Sequence, residues 1–377
     1  MSIRKIPYDD HDEWLQIRKQ YIGGSDAGAI MGMNPFASPF SVWAEKTGNA
    51  EPFAGNLKTK IGTQFEAFVA GLFEEETGIH VVYDEYETVE NMYPRVAEGA
   101  IHYDVICPSD YMVQKMINND LLQPLDFEKL PNAKKYIGAD FYKKAQAFAP
   151  GNKYSVPYCF GTVGIMYDTT RVDEPVDSWQ ILWNEKYRGE ILMQDSARDA
   201  LMIPLKLMGW SLNDTDKMHI EVARNMLITQ KPLVQAYVVD EAKDKLISGE
   251  AIMGVVFSGE ALMISLENEN MEFAIPKEGT NFWIDSWVVT RDAENVDNAH
   301  KFIDFMCRPE IAVINFDHLG YSTPNVAVRD LEEDEDYKNS SVAFPAPEVY
   351  ENQETYVYLG NEMDRYYNRQ WMRVKVE

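Results

Sequence analysis

Long apolar runs are missing from this 377-residue sequence, and none approaches the roughly 18 uninterrupted apolar residues of a membrane-spanning helix. The chain therefore reads as soluble, with no membrane insertion. Cysteine is scarce: Cys107, Cys159 and Cys307 stand apart, with no Cys-x-x-Cys pair and no histidine at zinc spacing. That argues against a disulfide framework or a zinc module, and no metal or cofactor is expected. Positive charge is also short, with 35 Lys and Arg against 61 Asp and Glu and a net charge of −26. A nucleic-acid binder carries a basic stripe that displaces counterions from phosphate; nothing here resembles one, so no nucleic-acid partner is expected. An acidic surface instead favours the approach of small cations. Behind Arg4 and Lys5 there is no apolar core of a secretory signal, so the chain as written is expected to stay in the cytoplasm.

What is present is ordinary globular material: 45% hydrophobic and 25% charged residues, enough for two or three domains. Two textures meet near residue 78. Ahead of it the spacing predicts helices broken by turns, including one over about 62–76 with Phe65, Phe68, Val69 and Leu72 on one face. Beyond it short strands alternate with helices, which predicts an α/β protein with parallel sheets. Strands are expected at 80–83, 103–108, 161–167, 190–193, 251–257, 272–275 and 286–290. Helices are expected at 90–98 and at 298–307, the second with Ala299, Phe302, Ile303 and Met306 on its apolar face. The acidic run 331–336 reads as a solvated loop or helix start.

Ligands of such sheets gather at the loops beyond the strand ends. Here those loops are rich in aromatics and acids: Ser109 and Tyr111, Tyr158 and Phe160, Asp195 and Asp199, Phe257, Trp283 and Asp285, and Tyr321. Aromatic faces attract ammonium groups and cover methylene chains, and a carboxylate pairs with each nitrogen. The set suits a flexible cation, although any one of these aromatics taken alone is as compatible with ordinary core.

From about residue 73 onward the chain resembles the spermidine/putrescine-binding proteins of polyamine ABC importers. The matching phrases, in order, are 73–79 (FEEETGI), 87–93 (ETVENMY), 103–113 (YDVICPSDYMV), 151–158 (GNKYSVPY), 175–183 (PVDSWQILW), 246–250 (LISGE), 275–279 (IPKEG) and 320–325 (GYSTPN). The resemblance implies a type-II periplasmic-binding-protein fold: two α/β lobes joined by a hinge, closing over ligand and catalysing nothing. It implies spermidine or putrescine as ligand, an ABC transporter permease as partner, a monomer, and a place in the periplasm or at the cell surface. Carried over by residue, it implies Trp283 as an aromatic wall and Asp285 as the central amine-binding carboxylate. Ser109 and Tyr111 match a polar and aromatic pair, Asp199 a carboxylate for a terminal amine, and Phe257 an aromatic face that is often Trp. Tyr321 matches a family tyrosine, and Tyr356 lies near a position that is glutamine in some members. Ser196 falls where some members have a second aspartate.

The first 78 residues depart from that family. Trp14 and Arg18, with 22–30 (IGGSDAGAI), 32–36 (GMNPF), 43–48 (WAEKTG) and 62–66 (GTQFE), resemble the start of the YqaJ-type viral recombinases, a group of nucleases akin to lambda exonuclease. The resemblance implies DNA contacts for Arg18 and Ser25 and approach to a metal site for Glu66. Cleavage would also need an Asp and a Glu-x-Lys on later strands, for two metal ions and a water-activating lysine. The Glu-x-Lys at Glu241–Lys243 lies on an expected helix. Residues 1–78 hold 7 basic against 11 acidic side chains, a net −4.

Both families carry a helix ending in the phrase at 73–79. The expectation is thus a chimaera, joined at that phrase, in which the first strand of a solute-binding lobe has been replaced. Residues 1–73 are assigned to a mainly helical recombinase-like fragment, 74–160 with 286–377 to lobe one, and 161–285 to lobe two. The chain should cross between lobes near 158–161 and 285–287. Polyamine binding, weakened by the lost strand, is the expected function. A catalytically incomplete exonuclease fragment and a non-functional chimaera are the alternatives.

Overall fold

The computed structural model describes residues 68–377, apart from Glu85, Glu87, Thr88, Ala100, Asp240, Asn352 and the side chain of Glu351. Arg18, Ser25 and Glu66, and almost all of the expected N-terminal fragment, lie outside the described residues. Val69–Glu377 form one compact unit.

Seven strands run through this unit: β1 (Val105–Ile106), β2 (Ser155–Asp168), β3 (Ile191–Gln194), β4 (Val234–Val238), β5 (Met253–Phe257), β6 (Met271–Ala274) and β7 (Phe282–Val289). β2 is the key to the architecture. Its first half pairs antiparallel with β7, from Ser155 opposite Val288 to Thr162 opposite Phe282, with an irregularity between Pro157 and Cys159. Pro157 cannot donate a ladder hydrogen bond, so a break in register there is its natural accommodation. From Val163 the same strand changes partners and pairs antiparallel with β5 and β6. The sheet then continues through β5, β3 and β4 with parallel pairing, while β1 joins β7 at the opposite end. One strand of 14 residues thus serves two sheet regions.

Three strand expectations need correction. The sheet is mixed rather than parallel, because β2 and β7 are neighbours that run in opposite directions. The segment 80–83 is not a strand: Val82 is 86% and Tyr83 57% exposed, so its β-branched and aromatic residues form no ladder. The run at 103–108 is strand only over Val105–Ile106. β4, which the sequence reading omits, is half-buried along most of its length and so lacks the alternation that would betray it.

The principal helices are α1 (68–77), α2 (Val89–Ala97), α3 (Asp110–Asn118), α4 (Ala197–Leu207), α5 (Lys217–Gln230), α6 (Ser258–Glu267), α7 (Val296–Met306), α8 (Pro309–Leu319) and α9 (Asn361–Val376). In α7 the expected apolar stripe is present, with Ala299, Ile303 and Met306 buried. Phe73 of α1 is 1% exposed and meets Phe302 and Phe305 edge-on at 5.4 and 5.3 Å. The Arg308 guanidinium bridges both oxygens of Glu76 at 2.6 Å. The start of the compact unit is therefore pinned to α7 by packing and to Arg308, at the start of α8, by a bidentate ion pair.

Two large cores lie on either side of the β2 partner change. One gathers Met112, Val113, Met116, Phe141, Phe160, Phe282, Ile284 and Tyr350; the other gathers Trp179, Tyr187, Ile191, Met193, Leu201, Leu227 and Val255. α9 belongs with the second, since Tyr366, Tyr367, Trp371 and Val374 are all part of it. The expectation that 286–377 sits wholly with the first lobe does not match this packing. A stripe of that spacing demands a partner face, and nothing in the sequence says which lobe supplies it.

Candidate ligand-binding site

The alternation of β7 builds the centre of the site. Phe282, Ile284 and Ser286 are buried, whereas Trp283, Asp285 and Trp287 are half-buried and share the opposite face. Trp283 stands edge-on to Phe257, at the end of β5, with ring centroids 6.4 Å apart, and to Tyr321, just past α8, at 5.1 Å. Two glycines make room for this trio. A Cβ at Gly161, the register partner of Trp283, would lie 2.5 Å from Trp283 Cζ2, and one at Gly259 would lie 2.3 Å from the Tyr321 ring. Tyr321 itself follows Gly320, which closes α8 in the left-handed region at φ 69°.

Asp285 lies opposite Cys159 in β2, and an isolated bridge pairs its backbone with Ser109, the residue that opens α3. Its Oδ2 has the Cys159 Sγ at 4.0 Å, while Oδ1 is buried with no hydrogen-bond partner. Burial lifts the carboxyl to about 6, and the Ser109 hydroxyl pulls the other way. Trp283 Nε1 is likewise buried and unpartnered. A carboxylate oxygen left unpaired out of water costs free energy, which a hydrogen-bonded cation would recover.

The second carboxylate is held differently. Asp199, 7% exposed at the start of α4, accepts from the Tyr356 hydroxyl at 3.1 Å on Oδ1 and from Ser196 Oγ at 2.6 Å on Oδ2. Burial raises its carboxyl, with Ser196, Tyr356 and the Arg198 charge opposing. The Arg198 guanidinium lies over the Tyr356 ring at 4.4 Å. Both Asp199 oxygens therefore have partners within the protein, and Asp285 is the carboxylate with the greater unmet demand. Between the two stands Tyr111, whose ring packs against both large cores. Its hydroxyl donates to Glu90 of α2 at 2.6 Å. Burial, then the Glu90 charge, push that phenol up, with Asp110 and Asp199 adding to the effect.

The structure thus brings Trp283, Phe257, Tyr321, Asp285 and Ser109 around one face of β7, and joins Asp199 to Tyr356, with Tyr111 linking the groups. Other loop candidates go elsewhere. Tyr158 packs against Trp287 with ring centroids 4.7 Å apart and planes tilted by 50°, and donates to Asn315 Oδ1 at 3.1 Å. Phe160 is core beside Phe141 and Phe282. Asp195 accepts from Trp371 Nε1 and Lys375 Nζ of α9. Sequence reading missed Glu90, Arg198 and Asp110. The last is 1% exposed and buried next to the Ser109 turn, but an aspartate in the first turn of a helix looks ordinary in a sequence. The Glu241–Lys243 pair lies on a helix, Glu241–Ile247, as expected. Among the described residues no group of three or more His, Cys, Asp or Glu side chains is placed to hold a metal ion, and no helix is long and apolar enough to cross a membrane.

Residues 70–345 match the family model of bacterial extracellular solute-binding proteins. The chain belongs to that family. It is 36% identical over 286 residues to the spermidine/putrescine-binding periplasmic protein of Escherichia coli, a span of 75% of this chain and 80% of that one. To the putrescine/agmatine-binding protein of Pseudomonas aeruginosa it is 29% identical over 326 residues, covering 80% and 87%. Among solved structures, the spermidine/putrescine ABC transporter substrate-binding protein of Streptococcus pneumoniae superposes with a TM-score of 0.74 at 36% identity, covering 82% of this chain and 94% of that one. A lipoprotein of Treponema pallidum, at 23% identity and a TM-score of 0.72, shares the fold. The solute-binding protein described here therefore has the two-lobed, hinged type-II architecture, and its main body is of a binding rather than an enzymatic family. Residues 13–97 match the YqaJ-like viral recombinase domain, so the two family matches overlap over 70–97, around the shared phrase at 73–79.

Proposed function

We propose that this protein captures a polyamine, spermidine or putrescine, and delivers it as a monomer to the permease of an ABC importer outside the cytoplasmic membrane. The observation that carries this reading is the unpartnered, buried Oδ1 of Asp285 at the foot of an aromatic wall made by Trp283, Phe257 and Tyr321. A primary or secondary ammonium supplies the missing hydrogen bond, and the rings cover the methylenes on either side. Asp199, hydrogen-bonded to Tyr356, takes the other amine. Ser109 and Tyr111 complete the lining. Relatives named for spermidine, putrescine and agmatine support the same ligand class.

In this reading β2 and β7 are the hinge. Lobe one comprises about 74–160 and 286 to about 350, lobe two comprises 161–285, and α9 travels with lobe two because it is built into that core. Recombinase-like residues stand ahead of the phrase at 73–79, where an intact relative would carry the first strand of lobe one, so lobe one is less braced and the affinity correspondingly lower. Residues 1–73 are a recombinase remnant without nuclease activity, brought in by a chimaeric joining at the shared phrase.

The test is a calorimetric titration with spermidine and with putrescine. Saturable binding at low micromolar concentration or tighter is expected. Truncating a buried ion-pair partner costs on the order of 2–5 kcal/mol, so Asp285→Ala should weaken binding at least tenfold. An unchanged affinity would sink the site assignment, and no heat with the intact chain would favour a non-functional chimaera.

A further inference from the structure

The amine station contains a second carboxylate that the site assignment leaves out. Asp110 follows Ser109, whose backbone is bridged to Asp285, and its side chain is 1% exposed. Oδ1 accepts from the Tyr111 amide at 2.6 Å, whereas Oδ2 is buried without a partner. Asp285 Oδ1 is in the same condition. Two neighbouring buried carboxyls with unmet oxygens cannot both stay ionised at low cost, and the least costly remedy in an empty site is to keep a proton.

We infer that Asp110 and Asp285 work as one proton-exchanging pair, which holds a proton while the cleft is empty and gives it up when a ligand ammonium docks on Asp285. The charges balance: the protonated pair and an ammonium yield an ammonium–carboxylate complex and a free proton. Asp110 need not touch the ligand; it positions charge for Asp285. The groups facing the pair are consistent with this role. Ser109 and Tyr111 come from the same turn, Cys159 from β2, and Cys107 and Tyr86 from the chain ahead of α3, and Arg198 is the nearby cation. Burial and then the Asp285 charge hold Asp110 well above the ordinary carboxylate range, against the Tyr111 amide, the Ile284 amide and Arg198. Asp285 is lifted to about 6, and the two carboxyls titrate as one pair.

This inference rests on the proposed polyamine site. It is tested by titrating the full chain with spermidine in phosphate and in Tris, buffers of very different protonation heat, at pH 6, 7 and 8.5. The buffer dependence of the heat gives the protons released per ligand. Release is expected near pH 6. In Asp110→Asn, where the amide stands in for the protonated carboxyl, the protons released per ligand should fall below those of wild type when compared over the three pH values. Heat that is identical in both buffers at every pH would overturn the pair, even if the variant failed to fold. So would an Asp110→Asn protein that folds and releases as many protons per ligand as wild type at all three pH values. No heat in either buffer would instead overturn the polyamine reading itself.

Discussion

At the scale of single residues, the carboxylate proposed to hold the ligand amine is also the one that strains the fold. Asp285 has a folded value of about 6 against an ordinary 3.8, so the folded protein prefers it protonated. Below about pH 4 it is protonated in both folded and unfolded chains and costs nothing. Between about 4 and 6 the unfolded chain has released a proton that the folded one retains, and stability falls as pH rises. Above about 6 the full penalty, on the order of 3 kcal/mol, is present. Asp285→Asn should therefore raise the melting temperature by a few degrees at pH 7.5 and leave it nearly unchanged at pH 4, while spermidine binding is lost. Calorimetric melting at both pH values measures this, and an equal or lower melting point at pH 7.5 would contradict the burial argument. Trp283 and Asp285 were singled out through the family resemblance, and β7, which begins ahead of the strand expected at 286–290, places them two positions apart on one face. Asp110 was not legible, because its significance lies in what fails to reach its second oxygen, and that is a property of packing.

At the scale of elements, β2 and β7 form the ribbon on which both sheet regions and the central part of the site depend. The ribbon fits only if Gly161 has no side chain, since a Cβ there would stand 2.5 Å from the Trp283 ring and 2.8 Å from Ser258 Oγ. Ser258 Oγ in turn accepts from the Thr162 amide at 3.1 Å, so the space is bounded by groups that cannot simply retreat. Gly161→Ala should destabilise by about 1–3 kcal/mol, as overpacking does, and should weaken spermidine binding more than a Gly71→Ala control, where a Cβ meets nothing within 4 Å, since Trp283 must turn to admit the methyl. A folded Gly161→Ala protein with wild-type affinity would show that Trp283 tolerates displacement and is not a fixed wall. The strands around this ribbon were largely readable, because 161–167, 190–193, 251–257, 272–275 and 286–290 are apolar runs bounded by turns, and each overlaps an observed strand. The failures have one cause. A strand needs another strand beside it, and no strand is assigned at 80–83 among the described residues, while β4 pairs with β3 despite a less regular pattern.

At the scale of the whole molecule, two family matches share one chain, and most of the physical substance lies in one of them. Residues 1–68 hold 7 basic and 8 acidic side chains, which leaves −25 of the net −26 in the compact unit. A negative field that favours the approach of cations therefore belongs to the solute-binding part. That part also supplies its own first helix: Phe73 is locked between Phe302 and Phe305, and Glu76 is paired with Arg308, so the compact unit closes on itself at its N-terminal end. A chain beginning at Val69 should accordingly melt in a single cooperative transition, and its spermidine affinity should lie within about twofold of the full chain, a difference below 0.5 kcal/mol. Parallel melting curves and titrations of the two chains decide the matter. A tenfold loss of affinity or of cooperative melting in the shorter chain would mean that the recombinase-like residues supply a wall or a strand that the solute-binding fold requires. Equal behaviour would mean that the energetics of folding and binding are complete from Val69 onward.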